Sequence, residues 1–376
     1  MIAFNKPVVT GKEKFFFEQL LVDNKYSGDG EFTKKCTEWF AKKLKRNVLL
    51  TTSCTHALEM IALLLDIKEG DEIIMPSYTF VSTANAFVLR GARIVFVDIN
   101  SNTMNIDETK IEEAITEKTK VIVPVHYAGV SCEMDTIMDL ARKYNLYVVE
   151  DAAQGMMSDY KGKPLGTIGD FGTFSFHETK NYHCGEGGLL IINNEEFSEE
   201  AEIIREKGTN RSKFIRGQVD KYTWVNKGSS YLPSELNAMF LYAQLEIVNE
   251  INSKRLSLWN RYYEKLKQLE SKGKLNLPYI PMDCNHNAHM FYIKLKNIEQ
   301  RDLMISYLKT KEISSVFHYI PLHSSPYGKN ISSFSKKDLF TTTESEKLLR
   351  LPMFFDLSIE EVSYITECIG NFFNEV

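Results

Sequence analysis

The chain lacks the features that mark several large classes of protein. It has no excess of positive charge: 45 Lys and Arg face 50 Asp and Glu, for a net charge of −5 and a pI near 6.0. That balance argues against nucleic acid or an anionic membrane surface as the main partner. No apolar run approaches the roughly 18 residues that a membrane span requires, and no apolar secretory core follows Met1, so the cytoplasm is the expected location. Cysteine is sparse and dispersed. No two of the six lie closer than Cys36 and Cys54, so there is no CxxC or zinc-ribbon spacing, and buried reduced thiols are expected. His286 and His289 lie three apart without acidic or thiol company, so no metal site is expected. Repeats, low-complexity tracts and a GxGxxG turn are also missing, which removes solenoids and the nicotinamide Rossmann signature.

What is present is an ordinary globular composition, 43% hydrophobic and 25% charged over 376 residues, enough for about two domains. Apolar β-rich runs alternate with helical patterns. Val48–Thr51, Glu72–Met75, Ile94–Val97, Val121–Val125, Leu146–Val149 and Phe171–Phe176 read as strands, and Ala57–Leu65 as a helix. This rhythm predicts an α/β fold with a mostly parallel sheet covered by helices. From Met1 to about Phe40 the pattern is mixed, with a turn at Gly28-Asp29-Gly30. From Glu235 the spacing of Leu241, Leu245, Val248 and Ile251 predicts one helix running toward Glu270. It would link a large unit, residues 1–245, to a smaller C-terminal α/β unit, 246–376. The small unit would hold strands near Met290–Leu295 and Ser315–Tyr319, and a last helix opened by a capping box, Ser358 to Glu361.

The chemistry concentrates between Leu146 and Gly188. Leu146–Val149 does not alternate, as expected of a strand buried on both faces, and it runs into Glu150-Asp151 with Gln154 beyond. The second run contains Ser175 and leads to His177-Glu178-Thr179-Lys180. An acid and a lysine at the ends of two separate strands suit pyridoxal phosphate: the lysine amine takes the cofactor aldehyde, and the carboxylate keeps the ring nitrogen protonated. Upstream, Thr51-Thr52-Ser53-Cys54-Thr55 joins a strand to a helix. Its hydroxyls and free N–H groups suit a phosphate dianion, and a plain Ser/Thr helix cap is the competing reading. Phe80 follows another strand as an aromatic that stacks on a flat ring or packs in the core.

The stretches LLTTSCTHALEM, GDEIIMPSYTFVSTANAFVLRGA, VEDAAQG, FSFHETKNYHCGEGG and FHYIPLH resemble the DegT/DnrJ/EryC1/StrS sugar-nucleotide aminotransferase family along essentially the whole chain. The resemblance implies pyridoxal phosphate fold type I. It implies Lys180 as the cofactor-bearing lysine, Asp151 as partner of the ring nitrogen, Gln154 at the ring hydroxyl, Ser175, Cys54 and Thr55 at the phosphate, and Phe80 as the stacking aromatic. Many relatives place an asparagine from the neighbouring subunit on the phosphate; the aligned residue here is Ser230. A homodimer with sites at the subunit interface is implied.

The segments REKGTNR and GQVDKYTW imply a subgroup that moves the amino group of L-glutamate to a dTDP-4-keto-6-deoxyhexose for surface polysaccharide (enterobacterial common antigen or O-antigen) synthesis. Arg211 and Arg216 are candidates for the nucleotide diphosphate, with a solvated basic face as the alternative. His318, Tyr319 and His323 lie in a loop that relatives aim at the active site, with an ordinary turn around Pro321 as the competing reading. A transaminase for another nucleotide keto-sugar, or a cofactor-binding regulatory protein, stays open. A dehydratase on this scaffold typically carries histidine where Lys180 stands.

Overall fold

The computed structural model describes residues 1–375. At its centre is an eight-stranded sheet. The order is Asn47–Thr51, Gly188–Ile192, Phe171–Ser175, Tyr147–Asp151, Thr119–Ile122, Glu72–Pro76, Arg93–Val97 and Ser332–Phe334. Gly188–Ile192 is antiparallel to both neighbours, and the other pairings are parallel. Helices cover both faces, which explains the unbroken apolar runs. Val148, Val95 and Leu189 pack on one face with Phe16, Phe32 and Phe40. Val149, Ile94 and Leu190 pack on the other with Ala57, Leu58 and Ile61.

The mixed N-terminal stretch contains two helices, Glu13–Asp23 and Glu31–Leu44. The second lacks a side-chain cap of its own. Its first-turn donors are satisfied from a distance by the fully buried Glu235 carboxylate, which accepts from the N–H groups of Gly30 (3.0 Å), Phe32 (2.8 Å) and Thr33 (3.1 Å). A cap supplied from two hundred residues away leaves no local pattern to read.

The single helix expected from Glu235 is two, Glu235–Leu245 and Val248–Ser271, broken at Ile247 (φ −118°). Leu241, Leu245, Val248 and Ile251 all enter the same core cluster, so the apolar spacing continues across a break in the backbone. The longer helix then packs with Ile359–Glu375 around the small core of Trp259, Tyr262, Phe291 and Ile369. The expected capping box is present: Ser358 N–H donates to Glu361 Oε2 (2.8 Å) and Glu361 N–H to Ser358 Oγ (3.1 Å).

The small sheet is antiparallel, with Leu348–Leu351 between Phe291–Lys294 and Val316–Phe317. Chain segments cross a division at residues 245/246 in both directions. Ile2 bridges to Ile313 of the small unit, while Ser332–Phe334 returns to the edge of the large sheet beside Arg93–Val97. The buried Asp98 carboxylate fastens that return, accepting from the N–H groups of Leu339 (2.9 Å), Phe340 (3.1 Å) and Thr341 (2.9 Å). Among the described residues no helix is long and apolar enough to cross a membrane.

Candidate active site

The strands Glu72–Pro76, Tyr147–Asp151 and Phe171–Ser175 run in one direction, so their C-terminal ends share one edge of the sheet, where α/β folds bind ligands. A cavity of about 610 Å³ opens there, bounded on its far side by the small unit. That volume suits a small-molecule site. Cys54, Thr55, Phe80, Gln154 and Ser175 line it, as do Asp151, Lys180 and Tyr319.

Local structure explains each placement. Ser53 is the N-cap of the helix Cys54–Leu64, its Oγ accepting from His56 N–H (3.1 Å). Capping consumes Ser53, while the N–H groups of Cys54 and Thr55 open the helix with no intrahelical acceptor. The helix start lies directly on Gly188. A Cβ there would stand 2.3 Å from the carbonyl carbon of Ser53 and 2.4 Å from the nitrogen of Cys54, so the approach requires glycine. The Cys54 thiol is pushed up to about 12, first by burial and then by the charge of Asp151. It stays protonated at neutral pH.

Asp151, the last residue of its strand, is 5% exposed. Its Oδ2 accepts from Thr83 Oγ1 (2.6 Å) and its Oδ1 from Ala153 N–H (3.1 Å). Thr79 supports Thr83 at 2.8 Å. Gln154 is fixed at both ends, Oε1 accepting from Ala128 N–H (2.6 Å) and Nε2 donating to Tyr319 Oη (3.3 Å). Lys180 ends a turn closed by its N–H on His177 O (2.9 Å). Burial pushes its ammonium pKa below the usual 10.5; Asp151 opposes this shift and Arg350 adds to it. The shift favours the neutral, nucleophilic form of the amine.

Four residues singled out in the sequence are not brought to this cavity. Ser230 is exposed on a segment bridged to Glu206. Arg211 pairs with Glu206 (3.0 Å), and Arg216 makes a two-pronged pair with Glu202 (2.8 and 2.7 Å). Both guanidinium groups are therefore already neutralised by the preceding helix. His323 is tied into the scaffold, its Nδ1 2.7 Å from Ser77 Oγ and its Nε2 3.2 Å from Asp338. His318, by contrast, lines the cavity, with Nδ1 2.8 Å from the Tyr127 hydroxyl.

Among the lining residues, Thr83 and Arg350 were not singled out in the sequence, and His289 was weighed there only as half of a metal-binding pair. Thr83 sits four residues after Thr79 at a helix start, a spacing that aligns two hydroxyls but does not announce a carboxylate partner. Burial pushes His289 well below the usual histidine range, and Asn181 Oδ1 lies 3.0 Å from its Nδ1. It is a neutral wall residue.

The donor set has a definite fit. Free N–H groups at a helix start suit a phosphate, a buried carboxylate suits a protonated ring nitrogen, and a lysine with a lowered pKa suits an aldehyde. Together, on this edge of this sheet, they define a pyridoxal phosphate enzyme of fold type I. Within that class, the chain belongs to the DegT/DnrJ/EryC1/StrS aminotransferase family, whose model matches residues 10–370.

It is 36% identical over 356 residues to the uncharacterized protein MJ1066 of Methanocaldococcus jannaschii, covering 92% of this chain and 91% of that one. It is 32% identical to the spore coat polysaccharide biosynthesis protein SpsC of Bacillus subtilis, over 86% and 85%. Among solved structures it resembles the aminotransferase TlmJ of Streptoalloteichus hindustanus, with a TM-score of 0.91, 26% identity, and 100% and 99% of the two chains covered. It also resembles the putative sugar aminotransferase Spr1654 of Streptococcus pneumoniae in its PMP form, with a TM-score of 0.88, 27% identity, and 99% and 98% covered.

Proposed function

We propose that the enzyme transfers an amino group from L-glutamate to the 4-keto carbon of a dTDP-4-keto-6-deoxyhexose. The products would be dTDP-4-amino-4,6-dideoxygalactose and 2-oxoglutarate, for surface polysaccharide synthesis such as enterobacterial common antigen or O-antigen. The observation that carries the transamination is that Asp151, at the end of one strand, and Lys180, in the turn after another, line one cavity with a helix start. The acceptor rests on the subgroup segments REKGTNR and GQVDKYTW. The name of SpsC, a polysaccharide biosynthesis protein, agrees with the broader setting.

Pyridoxal phosphate, when bound, supplies an aldehyde for the incoming amine and a ring that absorbs the electron pair freed at the donor's α-carbon. The protein's part follows from its side chains. The Cys54 and Thr55 N–H groups and Ser175 Oγ would hold the phosphate. Asp151, oriented by Thr83, would keep a proton on the ring nitrogen. Gln154 would meet the ring hydroxyl, and Phe80 would cover a ring face. Lys180, once its amine is free, takes the proton from the donor's α-carbon, and in the second half returns one at the sugar's C4. One lysine serving both halves makes the kinetics ping-pong.

Ser230 is exposed and away from its own cavity, which suits a contact made across a homodimer to the neighbouring copy's phosphate. Arg211 pairs with Glu206, the residue bridged to Ser230, and Arg211 and Arg216 would reach the nucleotide diphosphate by the same route, exchanging Glu206 and Glu202 for phosphate oxygens.

The test is to incubate the protein with pyridoxal phosphate, L-glutamate and dTDP-4-keto-6-deoxyglucose and to identify the product by NMR. A 4-amino sugar of galacto configuration is expected. Conversion of only a UDP sugar, or a different C4 epimer, would replace the acceptor assignment. Absence of any glutamate half-reaction would leave a binding protein instead.

A further inference from the structure

The loop between Cys284–Asn285 and Phe291–Lys294 carries His289 into the cavity wall, and it is held from three sides. Arg255, 3% exposed on the helix Val248–Ser271, donates from Nε to the carbonyl of Ala288 (3.1 Å) and from Nη2 to that of His289 (2.6 Å). Asn287 Nδ2 donates to the carbonyls of Gln154 (2.7 Å) and Met156 (2.8 Å). Ala288, between these anchors, takes a left-handed φ of 49°. A non-glycine residue keeps that conformation only where its surroundings impose it. His289 therefore stands on a fixed backbone.

The third hold places a proton. Asn181, next to Lys180, donates from Nδ2 to the carbonyl of Asn287 (2.9 Å). A carbonyl can only accept, so the amide oxygen of Asn181 faces the other way, toward His289 Nδ1 at 3.0 Å. Nδ1 must then carry the imidazole hydrogen. Burial keeps the ring neutral, with the charge of Lys180 adding to the effect, so Nε2 is a bare lone pair. Among the described residues Nε2 has no partner, and it stays accessible from the cavity.

A fixed acceptor in this wall calls for a hydrogen donor. Lys180 is committed to the reacting carbon. Glutamate, once its amine has reacted, offers carboxylates, which are acceptors themselves. A keto-sugar offers hydroxyls. In a 4-keto-6-deoxyhexose the hydroxyl next to the reacting carbon is the one on C3, because C5 carries the methyl group and the ring oxygen. We propose that His289 Nε2 accepts the hydrogen bond of the sugar hydroxyl adjacent to the ketone; this rests on the aminotransferase reading above. His289 then separates the two substrates by chemistry: it serves the sugar half of the reaction and has no bond to make with glutamate. A sugar lacking that hydroxyl leaves the lone pair unmet, which is how a polar site rejects an analogue.

The experiment compares wild type, H289F and H289Q, each loaded with pyridoxal phosphate, on dTDP-4-keto-6-deoxyglucose and its 3-deoxy analogue. Wild type should favour the 3-hydroxy sugar in kcat/KM by about tenfold, the weight of one neutral hydrogen bond. In H289F, which keeps a ring but no acceptor, the preference should fall below about twofold, and H289Q, whose amide oxygen can accept, should lie between. The apparent Kd for L-glutamate in its half-reaction should differ by less than about threefold between wild type and H289F. Calorimetry with dTDP-6-deoxyglucose and its 3-deoxy analogue, neither of which reacts, should give the same order without turnover. If glutamate never bleaches the wild type, the transaminase reading fails, and the calorimetric comparison still decides the hydroxyl contact. An equal preference in wild type and H289F, no preference in wild type, or a loss confined to glutamate would each overturn the assignment. A wild type that binds neither dTDP sugar would overturn it together with the acceptor assignment. Should H289F not fold, H289M decides by the same readings.

Discussion

Replacing Asp151 with asparagine separates charge from shape. Both carboxylate oxygens are engaged: Oδ2 by Thr83 Oγ1 at 2.6 Å and Oδ1 by Ala153 N–H at 3.1 Å. An amide can keep both contacts. Its oxygen still accepts from Ala153, and its NH₂ can donate to Thr83 if that hydroxyl turns its proton toward Thr79, 2.8 Å away. Loss of stability should therefore be small, about 1 kcal/mol. What disappears is the negative charge opposite a protonated ring nitrogen. At a hydrogen-bond separation of roughly 3 Å and an effective dielectric of about 20, that pair is worth about 5 kcal/mol. A loss of that size slows the glutamate half-reaction by roughly 10³- to 10⁴-fold. Thr83→Val keeps the charge but removes one orienting bond, so it should cost only about tenfold. Single-turnover absorbance with L-glutamate, beside a melting curve for each variant, makes the comparison. A well-folded D151N protein within tenfold of wild type would refute the role given to this carboxylate.

Further outcomes follow from other parts of the molecule. Because burial lowers the Lys180 pKa, the folded protein releases a proton that the unfolded chain keeps. This group's contribution to stability therefore rises with pH between the lowered pKa and 10.5. Cofactor uptake by the apoprotein should rise through the same interval, and a midpoint at or above 10.5 would contradict the assignment. Gly188→Ala drives a methyl into the backbone of Ser53 and Cys54. It should cost about 1–3 kcal/mol and weaken cofactor binding; a calorimetric affinity equal to wild type would count against the phosphate site. Asp98→Ala strands the N–H groups of Leu339, Phe340 and Thr341, and about 3 kcal/mol should be lost in a denaturant titration. A shift under 0.5 kcal/mol would show that this tether is unimportant.

The parts of the site that were legible in the sequence are those in which one local pattern carries both structure and chemistry. The run ending at Asp151 is apolar because it is covered on both faces, and its acid stands where that run meets the ligand edge. Lys180 follows a second such run. The parts that were missed depend on distant partners. Arg350 occupies a four-residue strand preceded by a helical stretch, Thr341–Lys347, and only the pairing with Tyr292 and Val316 gives that strand a face. Arg211 and Arg216 form a basic run in sequence, yet Glu206 and Glu202 lie against them in space. His318 and His323 share one motif, but only His318 reaches the cavity, because Ser77 and Asp338 hold His323 elsewhere. The break at Ile247 was hidden for a related reason: apolar spacing reports which side is buried, and that side does not change there.

The most direct test is the absorption spectrum of the purified protein with pyridoxal phosphate, recorded for wild type and Lys180→Ala and then after adding L-glutamate. Wild type should acquire visible absorption that glutamate removes, while K180A should neither bind the cofactor covalently nor respond by turnover. A K180A protein that colours, bleaches and turns over like wild type would contradict the place given to Lys180 and the chemistry derived from it.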